Sequence, residues 1–156
     1  YCPMSRDSYA ATTAFWRAKP LEKLSKREWE LLCDGCGLCC LHKLDYAQEG
    51  GTIVYTEVAC RLLDVKTCRC MNYRERSQYV PDCITLTPEM LKSIDWLPKS
   101  CAYRRLTEGR DLPRWHPLLT GNPDSVHVAK QSVRGRAIPE IEAGILSNHE
   151  VDWPDF

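Results

Sequence analysis

The stretch Cys33–Cys40, CDGCGLCC, decides how this chain is read. Four thiols stand at positions 33, 36, 39 and 40, spaced C-x2-C-x2-C-C. Cys60, Cys68, Cys70, Cys83 and Cys101 follow, so nine of the ten cysteines fall between residues 33 and 101. Packing alone seldom calls for thiols at this density; a metal, a cluster or a set of disulfides does. Gly35 and Gly37 lie between the close thiols. Lacking a Cβ, they let the backbone bend tightly enough for several sulfurs to converge on one point.

Thiolate is a soft ligand that selects zinc, Cu(I) and iron–sulfur clusters over magnesium or calcium. Cys33-x2-Cys36-x2-Cys39 reproduces the first three ligands of the bacterial ferredoxin run, whose fourth cysteine lies elsewhere. Cys40, Cys60, Cys70 and Cys83 are the candidates for that fourth corner. Zinc prefers C-x2–4-C arms from two places in the chain. Cys33/Cys36 or Cys36/Cys39, joined by Cys68/Cys70 or Cys60/Cys83, satisfies that pattern. The compact triplet and its glycines favour an iron–sulfur cluster (4Fe-4S), with Zn2+ as the alternative. Cys101 sits in the helical pattern SCAYRRL, where a buried apolar role competes with ligation. His42 and His116 are further candidate ligands, against structural hydrogen-bonding roles. Asp34, Asp64 and Asp82 each lie near a cysteine and read as turn or supporting residues rather than general acids. Lys43, Arg61, Arg69, Arg74 and Arg76 flank the cysteines, where cations offset thiolate charge and donate hydrogen bonds to sulfur.

The bulk of the chain sets the context. At 156 residues one domain is expected, 15–156, after a loosely ordered segment 1–14. The composition, 44% hydrophobic and 27% charged, is ordinary for a soluble protein. Lys+Arg is 21 and Asp+Glu is 21, which argues against a general nucleic-acid binder. No apolar run approaches the ~20 residues of a membrane span, and the first residues lack the apolar core of a secretory signal. A cytoplasmic address follows as the expectation. There, clustered thiols stay reduced and read as metal-binding more often than as five disulfides. Cys2, near the start, is given no role.

Regular structure is expected to be short. Ser25 and Glu28 form an S-x-x-E capping box for a helix over Ser25–Leu32. Gly50-Gly51 precedes a strand at Ile53–Tyr55, and a small hairpin is placed around Asp64. Asn72–Gln78 reads as a helical turn. Thr87-Pro88-Glu89 starts a helix through LTPEMLKSIDWL, and another spans Lys99–Glu108. A weak strand is expected within Ser132–Ile138 and a short helix after Pro139. The sum is a small α+β fold, mostly short helices with a minor β-hairpin, loop-rich and stapled by a Cys-ligated metal centre.

The ordered set CDGCGLCC, ACRLLD (Ala59–Asp64), TCRCMNYRER (Thr67–Arg76) and PDC (Pro81–Cys83) resembles the bacterial cysteine-cluster proteins of the YcgN/YkgJ kind. That family is named for its CxxCxxCC motif and described as zinc- or iron-chelating. The resemblance runs from about Phe15 through LPRWHPLLTG to the SVRG stretch. It implies that Cys33, Cys36, Cys39, Cys40, Cys60, Cys70 and Cys83 are the family's cysteines. Cys68 and Cys101 fit the YcgN branch, and Cys68 joins the expected ligands. Ser77 stands where the wider family often has proline. A metal-chelating bacterial cytoplasmic protein is implied, without a reaction.

Three functions remain open on these residues: an iron–sulfur protein with a redox or accessory role, a zinc-stapled adaptor for a protein partner, or a thiol-rich metal carrier or store. No nucleic-acid or membrane partner is expected. The chain carries no nucleophile elbow, P-loop or H-E-x-x-H, so no stand-alone catalytic signature is found.

Overall fold

A computed structural model describes residues 14–153. Cys2 lies outside that range, as does the expected loosely ordered segment 1–14 apart from Ala14. Among the described residues the helices are short: α1 (Phe15–Ala18), α2 (Lys26–Leu31), α3 (Arg76–Tyr79), α4 (Pro88–Leu91), α5 (Ala102–Thr107), α6 (Pro117–Thr120), α7 (Ser125–Val128) and α8 (Glu140–Ala143). The strands are β1 (Leu41–Asp45), β2 (Ile53–Ala59), β3 (Leu63–Asp64), β4 (Arg69–Cys70) and β5 (Ile138–Pro139). No helix among the described residues is long and apolar enough to cross a membrane.

Local chemistry explains the boundaries. Ser25 Oγ accepts the Glu28 N–H at 3.1 Å, and the Ser25 N–H donates to Glu28 Oε1 at 2.9 Å. This capping box starts α2 where the sequence places it. Thr87 caps α4 through its side chain alone, accepting from the Met90 N–H at 3.3 Å. That helix is shorter than expected. The Ser93 hydroxyl donates back to the Met90 carbonyl at 3.0 Å, a local bond that competes with continued helix.

β1 and β2 pair antiparallel, with Leu41 opposite Ala59 and Asp45 opposite Ile53, and a bulge between Leu41 and Lys43. β5 adds parallel to the end of β2, Val58 opposite Ile138. The expected strand at 132–138 is thus reduced to its last residue and Pro139. β3 and β4 form the separate hairpin around Asp64, Leu63 opposite Cys70. Its turn is held by the Asp64 carboxylate, which accepts the Lys66 and Thr67 N–H groups at 2.8 and 3.2 Å.

Two apolar clusters form the interior. The first gathers Phe15, Trp16, Leu31, Leu32, Leu97 and Tyr103 among others, and Cys33, Cys39 and Cys101 pack against it. The second gathers Leu38, Leu41, Ala59, Leu63 and Val133 with Cys68 and Cys70, and Cys36, Cys39, Cys40 and Cys60 pack against it. Cys39 touches both. The cysteine-rich turn therefore lies at the seam between two small cores, neither large enough to suggest a generous hydrophobic ledger.

Candidate metal centre

The turn from Cys33 to Cys40 is fixed from several sides. The buried His116 ring anchors the end of α2. The Leu118 N–H donates to its Nδ1 at 3.0 Å, so Nε2 carries the proton and donates to the Leu32 carbonyl at 2.7 Å. Desolvation lowers the His116 pKa, keeping the ring neutral. Both nitrogens are engaged, so neither is open to a metal. The Asp34 carboxylate accepts the Cys36 N–H at 3.0 Å. The Val133 N–H donates to the Cys36 carbonyl at 2.9 Å.

The two glycines have distinct reasons. Gly35 has φ +83°, and a Cβ there would stand 3.0 Å from the guanidinium carbon of Arg69. Gly37 has φ +81°, and a Cβ would stand 2.8 Å from Val133 Cγ2 and 3.4 Å from Cys68 Cβ. The left-handed conformation and the close approach both require glycine. From Gly37 a 3-10 turn over Leu38–Cys40 delivers Cys39 and Cys40.

Eight cysteines fall into two sets of four. Cys33, Cys36, Cys39 and Cys101 line one hollow of about 20 Å³, walled by Leu86, Leu97 and Tyr103. Cys40, Cys60, Cys70 and Cys83 line a second hollow of about 20 Å³, under Arg76 and Val80. Electrostatics divides them the same way. Burial pushes the Cys33 and Cys36 thiols well above the ordinary range. Cys39 and Asp34 add to this for Cys33, and Asp34, Cys39 and Cys33 for Cys36. Burial, with Asp34 and Cys39, pushes Cys101 up to about 12. In the other set burial raises Cys60, and Cys83 and Cys70 raise it further. The four residues of the first set are each half-buried.

Two dipeptides tie the sets together. Cys39 serves the first hollow and Cys40 the second, one peptide bond apart. Arg69 and Cys70 lie in β4, where successive side chains leave on opposite faces. The Arg69 guanidinium lies against Gly35 and its charge draws the Cys33 thiol down, while Cys70 lines the second hollow. Backbone bonds reinforce the second set: the Cys60 N–H donates to the Cys40 carbonyl at 2.8 Å.

The residues suit a soft metal. None of the nine described cysteines is joined in a disulfide, so the thiols are not spent in cross-links. Thiols raised by burial and by neighbouring thiols, as Cys33, Cys36 and Cys60 are, present the charge pattern a cation neutralises. Among the described residues no three His, Cys, Asp or Glu side chains form a ready-made ion-binding group. Closure on a metal therefore requires the sulfurs of a set to draw in toward their hollow.

Of the expected ligands, Cys33, Cys36, Cys39, Cys40, Cys60, Cys70 and Cys83 line one hollow or the other, divided rather than converging together. Cys68 lines neither. It is fully buried with φ +58°, its thiol raised by burial and drawn down by Arg134 and a Ser132 hydrogen bond. Cys101, which the sequence left between packing and ligation, completes the first set. It caps α5, and its N–H is held by the Pro98 carbonyl at 3.0 Å. The KSCAYRRL pattern shows a helix start, but no local spacing links it to a turn more than sixty residues away.

Several flanking groups are structural. Lys43 Nζ donates to the Cys39 and Leu41 carbonyls at 2.8 and 2.9 Å and lies over the Trp96 ring at 4.9 Å. It holds the 3-10 turn. Arg61 donates to the Tyr79 carbonyl. Arg76 donates to the Tyr73 carbonyl at 2.7 Å and to Thr85 Oγ1 at 3.0 Å. Arg74 is exposed. His42 Nε2 lies 3.3 Å from Glu140 Oε1, an ion pair only when the ring is protonated.

The cysteine-rich region matches a described domain. Residues 32–102 match a family model described as "CxxCxxCC: Putative zinc- or iron-chelating domain", a span that begins just before Cys33 and ends just after Cys101. A UPF0260 protein of Gluconacetobacter diazotrophicus is 55% identical over 145 residues, 92% of this chain and 89% of the relative. One from Gluconobacter oxydans is 55% identical over 143 residues, 92% and 87% of the two chains. One from Rhizobium etli is 51% identical over 142 residues, 90% and 89%. No solved structure matches. The chain belongs to the UPF0260 family, and the region matched by the CxxCxxCC domain holds the eight cysteines that line the two hollows.

Proposed function

We propose that this protein holds two metal centres, each ligated by four cysteines: Cys33, Cys36, Cys39 and Cys101 at the first, and Cys40, Cys60, Cys70 and Cys83 at the second. The observation that carries this is the division of eight thiols into two fours around two separate hollows. Four thiolates satisfy either a tetrahedral zinc or a cubane cluster. At the first centre, three ligands at ferredoxin spacing plus one remote cysteine support an iron–sulfur cluster with a redox or accessory role. A bound metal would supply charge neutralisation and a covalent staple between the two small cores. The chain's own residues arrange each set of four thiols around its hollow and place Arg69, against Gly35, beside the first.

A second reading rests on size. Each hollow holds about 20 Å³, room for about one water-sized sphere, which suits a single zinc ion better than a cube of four irons and four sulfides. In that reading the protein is a zinc-stapled adaptor or a thiol-rich carrier. Anaerobic purification with metal and sulfide analysis decides between them. A brown protein with acid-labile sulfide and dithionite-bleached visible absorption supports the cluster. A colourless protein with two tightly held zinc ions supports the staple. A chain that retains neither metal above background refutes both.

A further inference from the structure

We infer that the two centres differ in access, and that the second is an exchange site that gives up and accepts its metal through an adjoining cleft. This rests on the two-centre reading. A cleft of about 330 Å³ opens beside the Cys39–Cys40 turn, and its lining includes Cys40, Cys60 and Cys83 from the second set but only Cys39 from the first. That volume lies in the range of small-molecule sites. Cys33, Cys36 and Cys101 are not part of its lining; their hollow shares Cys39 and buried Leu86 with the cleft and is otherwise walled by buried Leu97, Ala102 and Tyr103.

The anchoring of the ligands is also unequal. Cys40 and Cys60 are joined by a backbone hydrogen bond of 2.8 Å, and Cys70 lies in β4. Cys83 lies in irregular chain between α3 and α4, next to exposed Pro81 and Asp82. Its N–H bonds only the Val80 carbonyl three residues back, at 2.9 Å. Segments with few packed contacts and exposed backbone open first. Cys83 is thus the ligand positioned to leave. With the second set loaded, a thiolate from a small thiol or a carrier entering the cleft would take the place of Cys83 among the ligands. The released Cys83 thiolate then takes up a proton from water. No change of oxidation state is involved.

The test uses the full chain loaded with Zn2+ and challenged with excess chromophoric chelator. The expected result is two ions per chain, released in two equal phases at least tenfold apart in rate. Added dithiothreitol accelerates only the fast phase. Cys83→Ser removes the fast phase, and Cys101→Ser removes the slow one. Asp82→Trp, which narrows the cleft at an exposed position, slows the fast phase several-fold with two ions still bound, and it keeps the test decisive if a cysteine variant fails to fold. A single phase for both ions, a fast phase that survives Cys83→Ser but vanishes in Cys101→Ser, or a fast phase indifferent to Asp82→Trp overturns the inference. A wild-type chain that binds only one zinc overturns the two-centre reading itself.

Discussion

Gly37→Ala is the substitution for which the geometry gives the clearest magnitude. Gly37 has φ +81° and ψ −3°, and an alanine forced into the left-handed region loses roughly 1–2 kcal/mol. The added Cβ would also stand 2.8 Å from Val133 Cγ2. Val133 is fully buried and its N–H is tied to Cys36, so it has little room to give. Overpacking of this kind costs roughly 1–3 kcal/mol. The sum, about 2–5 kcal/mol, is a large share of the ~5–15 kcal/mol that stabilises an ordinary domain. Gly121→Ala is the matched control: φ +73° and ψ 3°, with nothing within 4 Å of the added Cβ. It should lose only the backbone part, about 1–2 kcal/mol. Urea melts of the metal-loaded chains read the difference. Because the displaced turn carries both Cys39 and Cys40, Gly37→Ala should also weaken metal retention at both centres, whereas Gly121→Ala should leave both intact. Equal losses in the two variants would refute the crowding argument. A destabilised Gly37→Ala with unchanged retention would refute the role given to the turn.

Two further outcomes follow from the buried groups. Because burial, with neighbouring thiols and Asp34, raises Cys33, Cys36 and Cys101, the last up to about 12, the metal-free fold binds protons that the unfolded chain releases near ~8.5. Its stability should fall as pH rises from about 8.5 toward 12, and metal should abolish much of that fall; a flat alkaline profile of the apo-protein in chemical melts would contradict it. His116→Ala should lose about 3 kcal/mol, from the emptied volume and the unpaired Leu32 carbonyl, with the metal count unchanged; loss of an ion together with only a small change in stability would mean that His116 is a ligand after all.

What could be read from the sequence followed the range of each signal. The α2 capping box, the hairpin around Asp64 and the Thr87-Pro88 helix start are encoded within four or five residues, and all three form. β1 was not foreseen. LHKLD has no clean alternation, and the strand exists because β2 offers its edge and the Cys40 carbonyl meets the Cys60 N–H. The expected strand at 132–138 failed for a matching reason: only Ile138 and Pro139 find a partner, at the far end of β2. Cysteine density announced a chelating site, and the spacing 33, 36, 39 named three members of one set. The spacing could not say that Cys39 and Cys40 diverge into different hollows, nor that Cys101 returns to the first. Both depend on the turn after Gly37 and on the placing of α5 against the first core, which are tertiary facts. Cys68, expected beside Cys70 among the ligands, has a positive φ in the tight hairpin and lies near Gly37, Ser132 and Arg134, surroundings that no local spacing announces.

The central claim is the pairing of thiols into two centres, and metal content by variant tests it most directly. Wild-type chain, Cys101→Ser, Cys83→Ser and Cys68→Ser are purified anaerobically and their metal is counted per chain. Two filled centres in the wild type should fall to one in Cys101→Ser and one in Cys83→Ser, with the double variant empty and Cys68→Ser still at two. Loss of metal in Cys68→Ser with full retention in Cys101→Ser, or a wild type with a single centre that survives both Cys101→Ser and Cys83→Ser, would contradict the division into two fours.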